Sequence, residues 1–283
     1  MMKGMRRFAL CAIGVCAMCA AMGVASAGAA LPEIGRCVAV EGTKVGKKTA
    51  YTGAFTHNNC RAESPTHTGK YEFAPGPGPI PTFEGAGAGE SVTLQTPAGH
   101  TIFCGVAETK GSYTGAKTEK LTLLAANCED KNSKKPCQSF LPEEKEVKPI
   151  EGVIASLPLK GELGFISGGG TSKPTVGWDI SPETGPIVAT VECGTTLGLG
   201  EKVTLEGSYI PRVRSSLQKM HEEFHFQYTA VNGKQVPEQL EGGAKDTLTA
   251  KFLNGVESTT EEIGYSAREE VYNEEPYEYR VKS

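Results

Sequence analysis

Aspartate is scarce in this chain. Asp130, Asp179 and Asp246 are the whole complement, so a calcium loop that repeats carboxylates at alternate positions has nothing to be built from. There is one tryptophan, Trp178, and hence one candidate platform for stacking a sugar; at two-residue spacing from Val176 and Ile180 it shares their apolar face and reads as core. No C-x-x-C pair occurs and the five histidines do not sit near cysteines in a finger pattern, which excludes that kind of structural zinc site. The cysteine-rich stretch from His100 to Phe140 holds no phosphate loop and no cluster of metal ligands. Past residue 24 no long apolar run recurs, so no later segment predicts a helical membrane span.

What is present begins with a leader. Residues 1–7 carry Lys3, Arg6 and Arg7, residues 8–24 are small and apolar, and Ala25-Ser26-Ala27 follows. This pattern predicts a cleaved secretory signal over residues 1–27, with Cys11, Cys16 and Cys19 as apolar filler. Residues 28–283 would then form the exported β-rich domain, in which 26 basic residues face 33 acidic ones, a net charge of −7. Electrostatic capture of nucleic acid is disfavoured by that balance. A hydrophobic content of 39 % is enough for a real core at this length.

Six cysteines remain after the leader: Cys37, Cys60, Cys104, Cys128, Cys137 and Cys193. An even set in an exported chain predicts three disulfides. Local closure favours Cys37–Cys60 and Cys128–Cys137, the latter spanning the polar loop EDKNSKKP, which leaves Cys104–Cys193.

The alternation of apolar and polar residues is that of antiparallel strands. Ile102, Cys104 and Val106 alternate with polar neighbours, as do Leu121, Leu123 and Ala125, with Gly111 and Gly115 between. Residues 28–83 suggest a small N-terminal module that ends in the Pro/Gly-rich connector APGPGPIPTF. The GAGAGE run, residues 85–90, reads as a flexible turn because no amphipathic helix follows it. His57 and His67 flank Cys60 and are assigned no role. Arg212 and Arg214 form a small solvated basic edge. The glutamates Glu261, Glu262, Glu269, Glu270, Glu274 and Glu275 read as solvated surface, not as a glycosidase carboxylate pair.

The ordered set GRCVAV, GKYEFAPGPGP, FCGVAETKGSYTG, LTLLAANCE, LKGELGFI, GSYIPRV and GKQVPEQLEGG resembles a family of exported, cysteine-containing proteins of unknown function that occur as many paralogues in soil actinobacteria. The resemblance covers nearly all of residues 28–283. It implies a β-rich extracellular protein and brings no activity, cofactor or catalytic residue.

One motif points to chemistry. His221-Glu222-Glu223-Phe224-His225 matches H-E-x-x-H, which on a helix places two imidazoles one turn apart to hold zinc, with Glu222 as base on a metal-bound water. Ser215 could cap such a helix, whose stripe would be Leu217, Met220, Phe224 and Tyr228. Glu238, Glu241 and Asp246 are the available third ligands. Against the helix, Phe224, Phe226 and Tyr228 alternate with His225 and Gln227, and Asn232-Gly233 follows as a hairpin signal. The strand reading prevails and separates the two histidines by about 13 Å.

The expectation is an all-β chain, an antiparallel sandwich or barrel-like assembly of many short strands stapled by disulfides. Its expected role is a secreted or envelope-associated binding or structural protein with no catalytic site and no cofactor, acting on a cell-wall or extracellular ligand. A zinc-dependent metallopeptidase using His221, His225 and Glu222 is the alternative.

Overall fold

The computed structural model describes residues 31–89, 91–140, 150–194, 201–254 and 257–282. The expected leader, residues 1–27, lies outside them. Every regular element among the described residues is a strand. In order they are β1 (Glu33–Ala39), β2 (Thr43–Val45), β3 (Lys48–Ala50), β4 (Tyr71–Pro75), β5 (Thr82–Gly87), β6 (Val92–Gln95) and β7 (Thr101–Tyr113). Next come β8 (Thr118–Asp130), β9 (Cys137–Ser139), β10 (Val153–Ala155), β11 (Leu159–Ser167), β12 (Thr175–Pro182), β13 (Ile187–Cys193) and β14 (Glu201–Gly207). The last seven are β15 (Arg212–Val213), β16 (His221–Tyr228), β17 (Ala230–Val231), β18 (Lys234–Gln235), β19 (Leu248–Asn254), β20 (Glu257–Glu262) and β21 (Gly264–Arg280).

Eight of these close a ring. The order β8-β11-β12-β15-β16-β21-β5-β7 returns to β8 through the β7–β8 hairpin, and every pairing is antiparallel. Closure removes the sheet edges that would otherwise present unpaired backbone groups. Extra strands extend the ring: β10 lies on β8, β6 fills the gap between β7 and β21 beyond the end of β5, and β1 joins β21 with β4 outside it. A five-stranded sheet, β20-β19-β14-β13-β9, shares one apolar core with the barrel through Val188, Val191, Leu205, Leu248 and Phe252.

Eight strands give an interior just wide enough for side chains to fill, and aromatic rings fill this one. Trp178, Phe224, Tyr277 and Tyr279 are all under 2 % exposed. Trp178 Nε1 donates to the Tyr279 hydroxyl at 3.0 Å, and the Phe224 and Tyr279 rings lie 4.4 Å apart. Two carboxyl groups share the interior, each over a glycine. A β-carbon on Gly161 would stand 2.7 Å from Glu119 Cγ, and one on Gly85 would stand 2.3 Å from Glu269 Oε1. Gly85 to Gly87 are thus part of β5 and not the flexible turn that composition suggests, because the interior needs a strand without a side chain there. Glu269 is likewise not surface: it is 7 % exposed. The Pro/Gly connector leads straight into β5, and ahead of it β1 pairs with β21 while β2 and β3 pair only with each other.

The disulfides are Cys37–Cys60, Cys104–Cys128 and Cys137–Cys193. The expected Cys104–Cys193 and Cys128–Cys137 pairs are not formed. Sheet register, not closeness in sequence, decides them. Cys104 stands directly opposite Cys128 in the β7–β8 ladder with Cα atoms 3.9 Å apart, and Cys137 stands opposite Cys193 between β9 and β13 at 4.0 Å. The polar loop after Cys128 is closed by backbone bonding instead, with Asp130 N donating to Lys135 O at 2.9 Å.

Candidate functional site

The HEEFH segment is strand β16. Phe224, Phe226 and Tyr228 are buried, whereas Glu223, His225 and Gln227 face outward. A two-residue period is incompatible with the helical turn that H-E-x-x-H zinc binding needs, and along a strand His221 and His225 are about 13 Å apart. Each histidine has its own surroundings. His221 Nε2 lies 2.9 Å from the carbonyl oxygen and 3.1 Å from the hydroxyl of Ser216. Ser215, the residue expected to cap a helix, accepts the backbone N–H of His225 on its hydroxyl at 2.8 Å. The carboxylates considered as third ligands are engaged elsewhere. Glu241 accepts the Gly168 and Gly169 amides at 2.7 and 3.0 Å, Asp246 accepts the Ser208 hydroxyl at 3.0 Å, and Glu238 pairs with Lys245 at 3.2 Å.

The ladder between β16 and β21 is interrupted. His221 pairs with Tyr277 and Glu223 with Tyr272, so one residue, Glu222, opposes four, Asn273 to Pro276. Pro276 has no N–H to give the ladder, and Glu275 in the looped-out stretch accepts the backbone N–H of Ile80 on Oε1 at 3.2 Å. Above this irregularity lies an open cleft of about 740 Å³. Its opposite wall is β1 and the loop that Cys60 ties to Cys37. Charges of both signs meet there: Arg36 and Lys219 against Glu222, Glu223 and Glu275, with the amides of Asn58 and Asn59 between.

On the outer face just beyond, the register places His225 opposite Glu270, with Glu223 two residues back on the same side. His225 Nε2 is 3.2 Å from Glu223 Oε1 and His225 Nδ1 is 3.8 Å from Glu270 Oε1. Tyr272, opposite Glu223, donates its hydroxyl to Glu270 Oε2 at 3.3 Å. Sequence reasoning took His225 as half of a histidine pair and missed this grouping, because Glu270 is 45 positions away and only the strand register joins them.

Inside the barrel the polar groups form a second cluster. The Tyr228 hydroxyl donates to Glu269 Oε2 at 2.7 Å. Burial pushes the Glu119 carboxyl well above the ordinary carboxylate range, and the nearby Glu269 charge adds to it. Glu269 is raised by burial too, partly offset by hydrogen bonds from Thr109 and Tyr228. The void they border holds only about 20 Å³, roughly one water, and no substrate. On the other side of the barrel wall, burial raises Asp179 to about 6, with Asp246 and Glu162 adding to the shift.

Comparison with protein-family models, with curated proteins and with solved structures finds no match to this chain.

Proposed function

We propose that this chain is a secreted or envelope-associated binding module, and that it holds a charge-bearing extracellular peptide in the cleft above Glu222. The observation that carries this reading is the cleft itself, where cations and carboxylates from β1, β16 and β21 line one open concavity braced by Cys37–Cys60. A ligand with groups of both signs matches such a lining, and alternating charge complementarity steers encounter as well as register. Packing supports it from the other side. The barrel interior is occupied by its own aromatic rings, so binding falls to the outer surface. The zinc metallopeptidase alternative draws no support from β16, whose strand geometry separates His221 from His225.

A library of short charged peptides titrated against the oxidised protein tests the reading. Lys219→Glu and Glu222→Lys reverse exposed charges of opposite sign that line the cleft on its β16 side. Each should weaken a selected peptide at least tenfold, about 1.4 kcal/mol, with the fold retained. Peptide cleavage that disappears in Glu222→Gln would replace the binding reading with the enzymatic one, and affinity unchanged in both charge reversals would remove the cleft from consideration.

A further inference from the structure

We propose that Glu223, His225 and Glu270 form a site for a first-row divalent metal ion of the zinc type on the outer face of the barrel. The inference does not rest on the peptide reading, although Glu223 and His225 also border that cleft.

The site is made by register. Residues two apart on a strand share a face, so Glu223 and His225 project together, and the antiparallel pairing sets Glu270 directly across from His225. One ligand atom from each of the three lies within 4.8 Å of the others. Zinc bound at about 2.0–2.2 Å in a tetrahedron needs donors roughly 3.3–3.6 Å apart. The closest contacts use different ring nitrogens, His225 Nε2 to Glu223 at 3.2 Å and Nδ1 to Glu270 at 3.8 Å, so an ion on one nitrogen would draw the other carboxylate around the ring from within the 4.8 Å grouping. These side chains can adjust, since they are 51 %, 35 % and 36 % exposed respectively.

The donor chemistry selects the metal. One imidazole and two carboxylates suit zinc and its first-row neighbours better than calcium, which prefers an all-oxygen shell. Two carboxylates also neutralise the charge of a divalent ion. The ion would take one imidazole nitrogen, and the Tyr272 hydroxyl, already on Glu270, would orient that carboxylate from outside the donor set. Three protein donors leave at least one coordination position open to solvent. The HEEFH segment thus contributes its second histidine to a site, but with Glu223 and the distant Glu270 as partners in place of His221.

Zinc sulfate titrated into the chelator-treated, oxidised protein tests this by calorimetry. One site per chain is expected. His225→Ala and Glu270→Gln should each weaken it at least tenfold, while His221→Ala leaves it unchanged. Thermal denaturation gives an independent reading: zinc should raise the midpoint of the parent and of His221→Ala and not that of His225→Ala. The absence of saturable binding below millimolar zinc overturns the proposal. So does binding indifferent to both His225→Ala and Glu270→Gln, and so does loss of binding in His221→Ala alone.

Discussion

Glu269 and Glu270 are consecutive residues of one strand and live in opposite chemical worlds. The pleat of β21 turns Glu269 into the barrel, over Gly85 and against the Tyr228 hydroxyl, and turns Glu270 out toward His225 and Tyr272. The inner carboxyl is held toward its protonated form by burial. The outer one keeps access to water and to the side chains of the next strand. Sequence composition treats the two alike; strand parity decides which is a structural acid and which is available for binding.

The comparison breaks most visibly at the interior rings. Trp178→Ala removes the largest fully buried side chain and the donor to Tyr279, and should cost about 3–5 kcal/mol in denaturant unfolding. A loss below 1 kcal/mol would mean that the barrel is not packed through Trp178.

A smaller effect concerns the inner acids. Glu119 and Glu269 have folded-state pKa values raised above the ordinary 4.5, so the protonated form favours folding. Their contribution to stability is fully present below pH 4.5 and is lost as pH rises through the elevated folded values. Thermal midpoints should therefore fall on this account from pH 4.5 toward neutrality, and Glu119→Gln or Glu269→Gln should flatten that fall. Gln at 269 retains an oxygen for the Tyr228 hydroxyl. A slope identical to the parent in both variants would show that neither acid is buried in its charged-averse setting.

The smallest effect belongs to the outer face. In metal-free buffer Glu270→Gln should move stability by no more than about 0.5 kcal/mol, as exposed substitutions usually do. A larger change would show that the outer carboxylate is structural after all, and equivalence with Glu269→Gln across the pH series would erase the distinction between the two faces.

The sequence disclosed the strand character of most elements, because apolar positions alternate along β7, β8, β12 and β16; Trp178 is on the face its neighbours predict. It disclosed the Cys37–Cys60 pair as well. It concealed whatever depends on cross-strand alignment. Cys104 meets Cys128 and Cys137 meets Cys193 because ladders put them opposite, and no spacing rule contains that information. The same holds for Glu223, His225 and Glu270. Gly85 looked like a turn because glycine usually is one, and only the volume of the Glu269 side chain across from it explains a glycine in mid-strand. In each case the missing information was long-range geometry.

β21, the last strand along the chain, pairs with β1, β5, β6 and β16. Until its seventeen residues are seated, β5 and β16 have no neighbour on one side and the ring stands open. A chain assembled from its amino end therefore accumulates a long sheet with two bare flanks, the arrangement most prone to join other chains edge to edge. The pairings of β21 with β1 and β5 span nearly the whole described chain, so closing the ring carries the largest loop-closure cost of any contact in the barrel.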